Sequence, residues 1–172
     1  METITETSPW IETIEGQTLF KYLIPEARRD LRAKGAVVAF AENELIVAEG
    51  DLSPSFFIVL DGTVQVHVRQ EDKDVYICSL GASSLFGEAS LFSRKLRTAS
   101  VSSIDGAVIF KLTRYDVMTF LRAWPAEGNK VLLFLINGLM KKLREANQEL
   151  AFERRADSNQ LDVDALIAEL TE

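Results

Sequence analysis

The pattern of hydrophobic and polar residues changes its period twice along the 172-residue chain. Residues 17–24 and 25–34 carry apolar side chains at helical spacing, and they predict two short helices that cover a β core. Pro25 suits a first helical position and Gly35 suits the end of a helix. Residues 1–15, which come before these helices, are predicted to be a loosely held lead-in.

From Val37 to Leu112 the pattern is that of short strands. The apolar run at 56–60 ends in Asp-Gly at 61–62, a dipeptide typical of two-residue hairpin turns. Valines then alternate with polar residues over 64–69, as in a half-buried strand, and a second Asp-Gly at 105–106 predicts another hairpin. Short strands at this spacing indicate a mainly β fold with helices: an antiparallel β-roll or jelly-roll barrel with N-terminal helices.

The last third of the chain is predicted to be helical. Residues 114–123 form a short helix closed by Trp124-Pro125, and a long C-terminal helix runs from about Glu127 to Ala156. An isolated domain of this size cannot cover the apolar seam of the long helix beyond Leu143, so the pattern predicts a homodimer through this helix. The seam recurs at alternating four- and three-residue steps, as in coiled coils: Leu132, Ile136, Leu139, Leu143, Ala146 and Leu150.

Residues 157–172 form an acidic tail. Asp162 is expected to cap a two-turn helix with four apolar residues on one side: Val163, Leu166, Ile167 and Leu170. Two interpretations stay open, because the tail could dock on a protein effector or fold on its own chain. The predicted segments are a lead-in (1–16), a β-roll with its N-terminal helices (17–126), the long dimerisation helix (127–156) and the tail (157–172).

The amino-acid composition limits the kinds of partner that this chain is expected to bind. Nineteen basic and twenty-six acidic residues give a net charge of −7, which disfavours nonspecific binding to nucleic acid or anionic membranes. The longest apolar run, 131–136, is too short to span a bilayer, and the first ten residues are unlike a secretory signal. Cys78 is the only cysteine, so a reducing cytoplasm is the expected location.

A β barrel is also compatible with a metalloenzyme, which needs several ligands at one metal. His67 is the only histidine, and it lies on the polar face of its strand, where a solvated side chain is expected. Cys78 has no histidine near it in the sequence to activate it. The sequence therefore predicts no enzyme activity, no catalytic residue and no metal site, and four carboxylates in turns are interpreted as a solvated rim: Glu42, Glu44, Glu49 and Asp51.

Residues 85–101, with the sequence LFGEASLFSRKLRTASV, carry the chemistry of a nucleotide pocket. Gly87 can place its backbone where a side chain would block a ligand, and the following residues can begin a short helix whose N–H groups attract an anion. Arg97 adds a planar, permanently charged fork that matches phosphate oxygens. Glu88 accepts hydrogen bonds only, when ionised, and suits a sugar hydroxyl.

This segment resembles the phosphate-binding cassette of the cyclic nucleotide-binding domain family. Two positions depart from the family pattern, since Leu96 stands where proline is usual and Thr98 where alanine or serine is commonest. The resemblance covers residues 17–150, and it is specifically a resemblance to the ligand-binding half of bacterial catabolite-activator-type regulators. The tail is too short to form the DNA-binding domain of those regulators, so no DNA partner is expected. Six residues match the pattern at its spacing: Gly87, Glu88, Leu91, Arg97, Ala99 and Ser100.

The resemblance implies a receptor module for cyclic AMP, with cyclic GMP as a second ligand and no cofactor, that changes its helix arrangement when the nucleotide binds. Arg97 would hold the cyclic phosphate, Glu88 the ribose 2′-hydroxyl, and Thr98 and Asn147 the base. The alternative is an interaction or scaffold protein that keeps the fold without binding nucleotide, against which the presence of Glu88 and Arg97 argues. The implied ligand-binding residues are Phe86, Gly87, Glu88, Ala89, Arg97, Thr98, Ala99 and Asn147.

Overall fold

The computed structural model describes residues 2–3, 9–71, 73–92 and 95–170, with side chains over 9–71, 73–92 and 95–152. The chain divides into two compact units, Met1–Phe134 and Leu135–Glu172. The β sheet and the loop that resembles the cassette both belong to the first unit.

Seven strands within these described ranges form one antiparallel sheet. Strands β4 and β7, of 16 and 14 residues, pair with each other along most of their length. The order is β1-β2-β7-β4-β5, with β3 paired to β7 and β6 to β4, and the predicted antiparallel β-roll is confirmed. The strands are β1 (Glu2–Thr3), β2 (Ala36–Phe40), β3 (Leu45–Val47), β4 (Ser55–Gln70), β5 (Lys73–Leu80), β6 (Leu85–Phe86) and β7 (Ser100–Thr113).

The two Asp-Gly pairs lie inside strands, so the prediction of hairpin turns at these positions was wrong. β4 continues through Asp61 and Gly62, and β7 continues through Asp105 and Gly106. The two glycines have φ values of 81° and 102°, and a Cβ on Gly62 would lie 2.2 Å from the carbonyl oxygen of Gly106. The register of the β4–β7 pair shifts on both sides of Gly62. Such irregularities bend a strand pair, so the glycines curve the sheet and do not reverse the chain.

Three helices precede the second strand. The helix predicted over 25–34 is confirmed, and the helix predicted over 17–24 is present but limited to Thr18–Lys21. Part of the predicted lead-in is ordered as helix α1, in which Ile14 is fully buried and Glu15 pairs with Arg32. Gly35 ends the third helix, and a Cβ there would lie 2.0 Å from the ring of Phe110. The helices are α1 (Ile11–Glu15), α2 (Thr18–Lys21) and α3 (Pro25–Lys34).

Strand β7 contributes to two packed layers. Ile109 belongs to the core inside the β-roll, with Phe57, Val59 and Val64. The next residue, Phe110, is also fully buried and meets the ring of Phe20 edge to face at 5.7 Å. Since successive strand residues point to opposite faces, β7 separates the core of the β-roll from the layer of N-terminal helices.

Helices α4 (Ala89–Phe92) and α5 (Arg114–Ala123) flank β7. The predicted bounds of α5 are confirmed, and the helix begins with a reciprocal capping box between Thr113 and Asp116. The indole N–H of Trp124, just after α5, donates to Asp30 of α3 at 3.1 Å. This bond ties the end of α5 to the N-terminal helices.

Helix α6 runs from Pro125 to Leu170, which corrects the predicted end at Ala156 and the separate helix capped by Asp162. No proline or glycine follows Gly138 in the sequence, so no strong stop signal ends the helix earlier. The functional division into the four predicted segments stays a prediction. Among the helices in the described ranges, none has the continuous apolar stretch that a bilayer crossing requires.

Candidate functional site

The cassette loop, residues 86–99, runs from the last residue of β6 to the start of β7. It contains a glycine that no other residue could replace without strain. Gly87 has φ 79°, a conformation that side chains disfavour. A Cβ at this position would lie 2.7 Å from Nη1 of Arg97 and 2.9 Å from the carbonyl oxygen of Ser55. The missing side chain therefore lets the guanidinium of Arg97 approach the backbone at the start of α4.

The side chain of Arg97 is only 8% exposed. Its Nη2 donates to the carbonyl oxygen of Ser55 at 2.6 Å, and its Nη1 donates to the hydroxyl of Ser90 at 2.9 Å. Nη1 also lies 3.4 Å from the carbonyl oxygen of Gly87. The Nε atom is buried and has no hydrogen-bond partner among the residues that the structure describes. The guanidinium is thus held in one orientation while part of its donor capacity is unused.

Burial and neighbouring charges act on Arg97 in opposite directions. Burial lowers the pKa of the guanidinium, and the carboxylates of Asp51 and Glu88 partly offset this effect. The guanidinium also lies over the ring of Phe57, 5.6 Å from its centroid. Because arginine stays protonated in proteins, the loop holds a desolvated positive charge that a bound anion would stabilise.

The main chain of Arg97 is anchored to the loop between β3 and β4. Its N–H donates to the carbonyl oxygen of Asp51 at 2.9 Å, and its carbonyl oxygen accepts from the N–H of Gly50 at 2.9 Å. The hydroxyl of Ser100 accepts from the N–H of Glu49 at 3.0 Å. Glu49 and Asp51 are exposed as the sequence predicted, but their loop has a further role, because it holds Arg97 in place.

Glu88 lies on the same loop and is 4% exposed. Its carbonyl oxygen accepts from the N–H of Leu91 at 3.1 Å, a bond that shapes the turn of α4. Its carboxylate is close enough to Arg97 to raise the pKa of the guanidinium. The structure therefore brings together the two side chains to which the sequence assigned the sugar and the phosphate.

The other predicted ligand residues lie in different environments. Phe86 is buried, and its ring stacks on that of Phe57 at 4.9 Å. Ala89 and Thr98 are exposed and Ala99 is half-buried. Asn147 is exposed on α6 and belongs to the second compact unit. One loop of the first unit thus carries every predicted binding residue except Asn147, and the binding roles themselves stay predictions.

Two residues that contact Arg97 were not found from the sequence. Ser55 acts through its carbonyl oxygen, which any residue could supply, so no side-chain pattern signals it. Ser90 acts through its hydroxyl. A lone serine in a four-residue turn that otherwise carries alanine, leucine and phenylalanine is a signal that could have found Ser90.

The residues considered for metal or nucleophilic chemistry lie elsewhere. His67 is half-buried on β4 and Cys78 is half-buried on β5. Within the described part of the chain, no three histidine, cysteine, aspartate or glutamate side chains are grouped so that they could hold a metal ion. His67 and Cys78 thus both lie on strands outside the cassette loop.

Two relatives are similar to this chain over part of their length. The cAMP-dependent protein kinase type II regulatory subunit of Drosophila melanogaster is 32% identical over 111 residues, which cover 64% of this chain and 29% of that protein. The CRP-like cAMP-activated global transcriptional regulator of Mycobacterium tuberculosis is 28% identical over 134 residues, which cover 77% of this chain and 58% of that protein. The chain thus spans less than two thirds of the length of either relative.

A solved structure supports the same relationship. The crystal structure of a cyclic nucleotide-binding domain from Methylobacillus flagellatus superimposes with a TM-score of 0.72 at 26% identity, over 81% of this chain and 79% of that one. The family model of the cyclic nucleotide-binding domain matches residues 37–123, just over half of the chain, and this range contains the whole loop from Phe86 to Ala99. From its fold, this loop and the family match, the chain belongs to the cyclic nucleotide-binding domain family.

Proposed function

We propose that this chain is a receptor module that binds cyclic AMP, and cyclic GMP more weakly, and that binding changes the arrangement of its long helix. The observation that carries the proposal is the buried guanidinium of Arg97, which keeps an unbonded N–H beside Glu88 on the family's cassette loop. The two relatives described above are a cAMP-dependent and a cAMP-activated protein. Their names favour cyclic AMP over other anionic ligands.

The cyclic phosphate would bind at Arg97. A guanidinium has five N–H donors, and its described contacts lead to neutral oxygens of Ser55, Gly87 and Ser90. An anionic oxygen would add a charge-assisted bond, which is roughly twice as strong as a neutral one. Phe86, Gly87, Ala89 and the residues around them would supply the backbone wall that the phosphate faces.

The ribose and the base would be bound by different residues. The carboxylate of Glu88 would accept from the ribose 2′-hydroxyl, because an ionised carboxylate cannot donate to phosphate. Thr98 would offer its hydroxyl to the 2-amino group of a guanine. Asn147 would pair with an adenine edge, a contact worth roughly 1–3 kcal/mol of discrimination, which gives the modest preference for cyclic AMP.

The output of the module would depend on the long helix. Helix α6 exposes Leu143 and Leu150 by 55% and 52%, and we propose that two chains bury these residues in a parallel homodimer. A nucleotide that binds better to one helix arrangement shifts the population towards it. A protein effector at the tail 157–172 and a cytoplasmic location stay predictions, and we propose a binding role with no enzymatic step.

Calorimetric titration of the full chain with cyclic AMP, cyclic GMP and 5′-AMP tests this function. We expect cyclic AMP to bind most tightly and 5′-AMP least, because 5′-AMP lacks the ring that holds phosphate and ribose in one geometry. A thermal-shift measurement with the same ligands is an independent readout. If neither cyclic nucleotide produces heat or raises the melting temperature, the receptor function is contradicted and the interaction or scaffold function is favoured.

A further inference from the structure

Ser90, the second residue of α4, is a buried polar residue at the centre of the cassette loop. The residue is 9% exposed, and its Oγ lies 2.7 Å from the carbonyl oxygen of Gly87 and 3.1 Å from that of Ser55. The same Oγ accepts from Nη1 of Arg97 at 2.9 Å. A hydroxyl has one hydrogen and two lone pairs, so Ser90 can accept from Arg97 and donate to one carbonyl at the same time.

The two carbonyl oxygens near Ser90 are also contacts of Arg97. Nη2 donates to Ser55 at 2.6 Å, and Nη1 lies 3.4 Å from the carbonyl oxygen of Gly87. Of the two acceptors described for Nη1, the hydroxyl of Ser90 is the closer, and the contact to Gly87 is longer than an ordinary N–H···O bond. Removal of the hydroxyl would therefore leave Nη1 poorly bound while Nη2 stayed bound.

Two bonded Nη groups define the plane of a guanidinium, whereas one bonded group leaves it able to rotate. We propose that Ser90 is a positioning residue, which fixes the guanidinium plane of Arg97 before a nucleotide binds, so that its unused N–H donors are oriented for a phosphate. This inference rests on the proposed nucleotide binding. A side chain that is already oriented loses less conformational freedom when the ligand binds, so affinity should depend on the Ser90 hydroxyl through its bond to Arg97.

A purely structural role for Ser90 makes different predictions. If the hydroxyl only served the local bond to Gly87, which lies three residues earlier, its loss would alter the stability of α4 and leave Arg97 unaffected. The decisive measurement must therefore report on the guanidinium itself, in the absence of nucleotide.

The first arm of the test is ¹⁵N NMR of the arginine side chains in the nucleotide-free full chain. In the unmodified protein we expect separate Nη signals for Arg97, because bonds at both Nη groups restrain rotation. Ser90→Ala should merge or broaden these signals, and Ser90→Thr, which keeps the hydroxyl, should restore them. Ser102→Ala is the matched control, because Ser102 is a buried serine that accepts instead from Gln65.

The second arm is cyclic AMP affinity by calorimetry, with the melting temperature as the folding control. Ser90→Ala should weaken binding by roughly three- to tenfold, the scale of the cost of ordering one flexible side chain at a binding site, and Ser90→Thr should recover most of the loss. In an Arg97→Lys background the same Ser90→Ala change should have little further effect, because the two residues act through one network. If Ser90→Ala fails to fold, Ser90→Cys replaces it in both arms.

The outcomes separate this inference from the proposed function. Unchanged Arg97 signals in Ser90→Ala overturn the positioning role, whatever the ligand result. If the unmodified protein binds cyclic AMP and Ser90→Ala binds it with equal affinity, the positioning role is also overturned. The receptor function is then not affected. Failure of the unmodified protein to bind cyclic AMP overturns the receptor function, and with it the effect of Ser90 on affinity.

Discussion

Two regions of this chain depart in opposite ways from the rule that apolar side chains are buried and polar ones exposed. In the cassette loop of the first unit, Glu88, Ser90 and Arg97 are at most 9% exposed. On α6 in the second unit, Leu143 and Leu150 are more than half exposed. Buried charge is costly unless it is paired, and an exposed apolar row typically marks an interaction site.

The two departures differ in whether the chain itself satisfies them. The buried groups of the loop bond to one another, since Arg97 reaches Ser90 and the backbone of Ser55 within the same unit. The leucines of α6 are exposed in a single copy of the chain. Under the proposed function, a nucleotide would complete the loop, whereas a second copy of the chain would cover the helix.

The largest expected effect comes from Arg97→Ala, which removes the cation from the loop. Cyclic AMP binding should lose about 3–5 kcal/mol, because a buried charge site loses its partner. Arg97→Lys should recover only part of the loss, since a point charge cannot make paired contacts. Calorimetry measures both, with Arg29→Ala on α3 as the matched control, because the Arg29 side chain is 62% exposed. Unchanged affinity in Arg97→Ala would mean that the loop is not the phosphate site.

The next effect concerns the exposed row on the helix. Leu143→Glu should weaken the homodimer by about 3 kcal/mol or more, because it would bury like charges against each other across the dimer axis. Light scattering at tens of micromolar protein should then give the mass of one chain, with circular dichroism unchanged. Tyr115→Glu on α5, where the tyrosine is 77% exposed, is the control that should remain dimeric. A one-chain mass for the unmodified protein would contradict the dimer.

A smaller effect is expected at the exposed rim of the loop. Thr98→Ala should lower cyclic GMP affinity by about 1 kcal/mol, the scale of a single neutral hydrogen bond, and leave cyclic AMP affinity unchanged. Competition titration of the two nucleotides measures the ratio, with Thr18→Ala on α2 as an exposed threonine control. Equal losses for both ligands, or a preference of the unmodified protein for cyclic GMP, would contradict the assignment of the base.

The smallest effect concerns Glu127, a buried carboxylate near the start of α6. The same helix therefore carries a buried charged group near its start and exposed leucines further along. Glu127 accepts from Nζ of Lys130 at 2.9 and 3.0 Å and from the N–H of Ile24 at 3.1 Å. The bond from Lys130 is the main reason that the pKa of Glu127 lies below its usual value, and the bond from Ile24 adds to it, while burial opposes both.

A depressed folded-state pKa stabilises the fold above the unfolded pKa of about 4.3, and this contribution is lost as the pH falls through the folded pKa. Glu127→Gln should therefore be less stable than the unmodified protein near neutral pH, and the difference should shrink on acidification below about pH 4. Melting temperatures measured from neutral to acidic pH test this, with Glu145→Gln as the more exposed control. A constant difference across the pH range would exclude ionisation as the cause.

Much of the fold and of the candidate site could be predicted from local patterns. Three features can be recognised from a few neighbouring residues: the alternating valines of β4, the proline at the start of α3, and the spacing of Glu88 and Arg97. Such signals act through short-range sterics and periodicity, which do not depend on distant parts of the chain. They were sufficient to predict the β-roll, the flanking helices and the cassette loop.

The two Asp-Gly pairs could not be interpreted in the same way. Either dipeptide suits a hairpin turn, but both glycines lie inside long strands with positive φ, and a Cβ on Gly62 would meet the backbone of Gly106 at 2.2 Å. A residue with positive φ serves a turn or a bulge equally well. Which of the two forms depends on a partner far away in the sequence, so only the tertiary structure decided between them.

The surroundings of Arg97 show the same division. The local spacing of residues was enough to predict that a glycine, a carboxylate and an arginine lie on one loop. The burial of the arginine, its bonds to Ser90 and to a carbonyl oxygen of β4, and the anchoring of its backbone by the Gly50–Asp51 turn all depend on contacts between distant parts of the chain. The physical reason is that carbonyl oxygens have no sequence signature and that burial is set by the packing of distant strands.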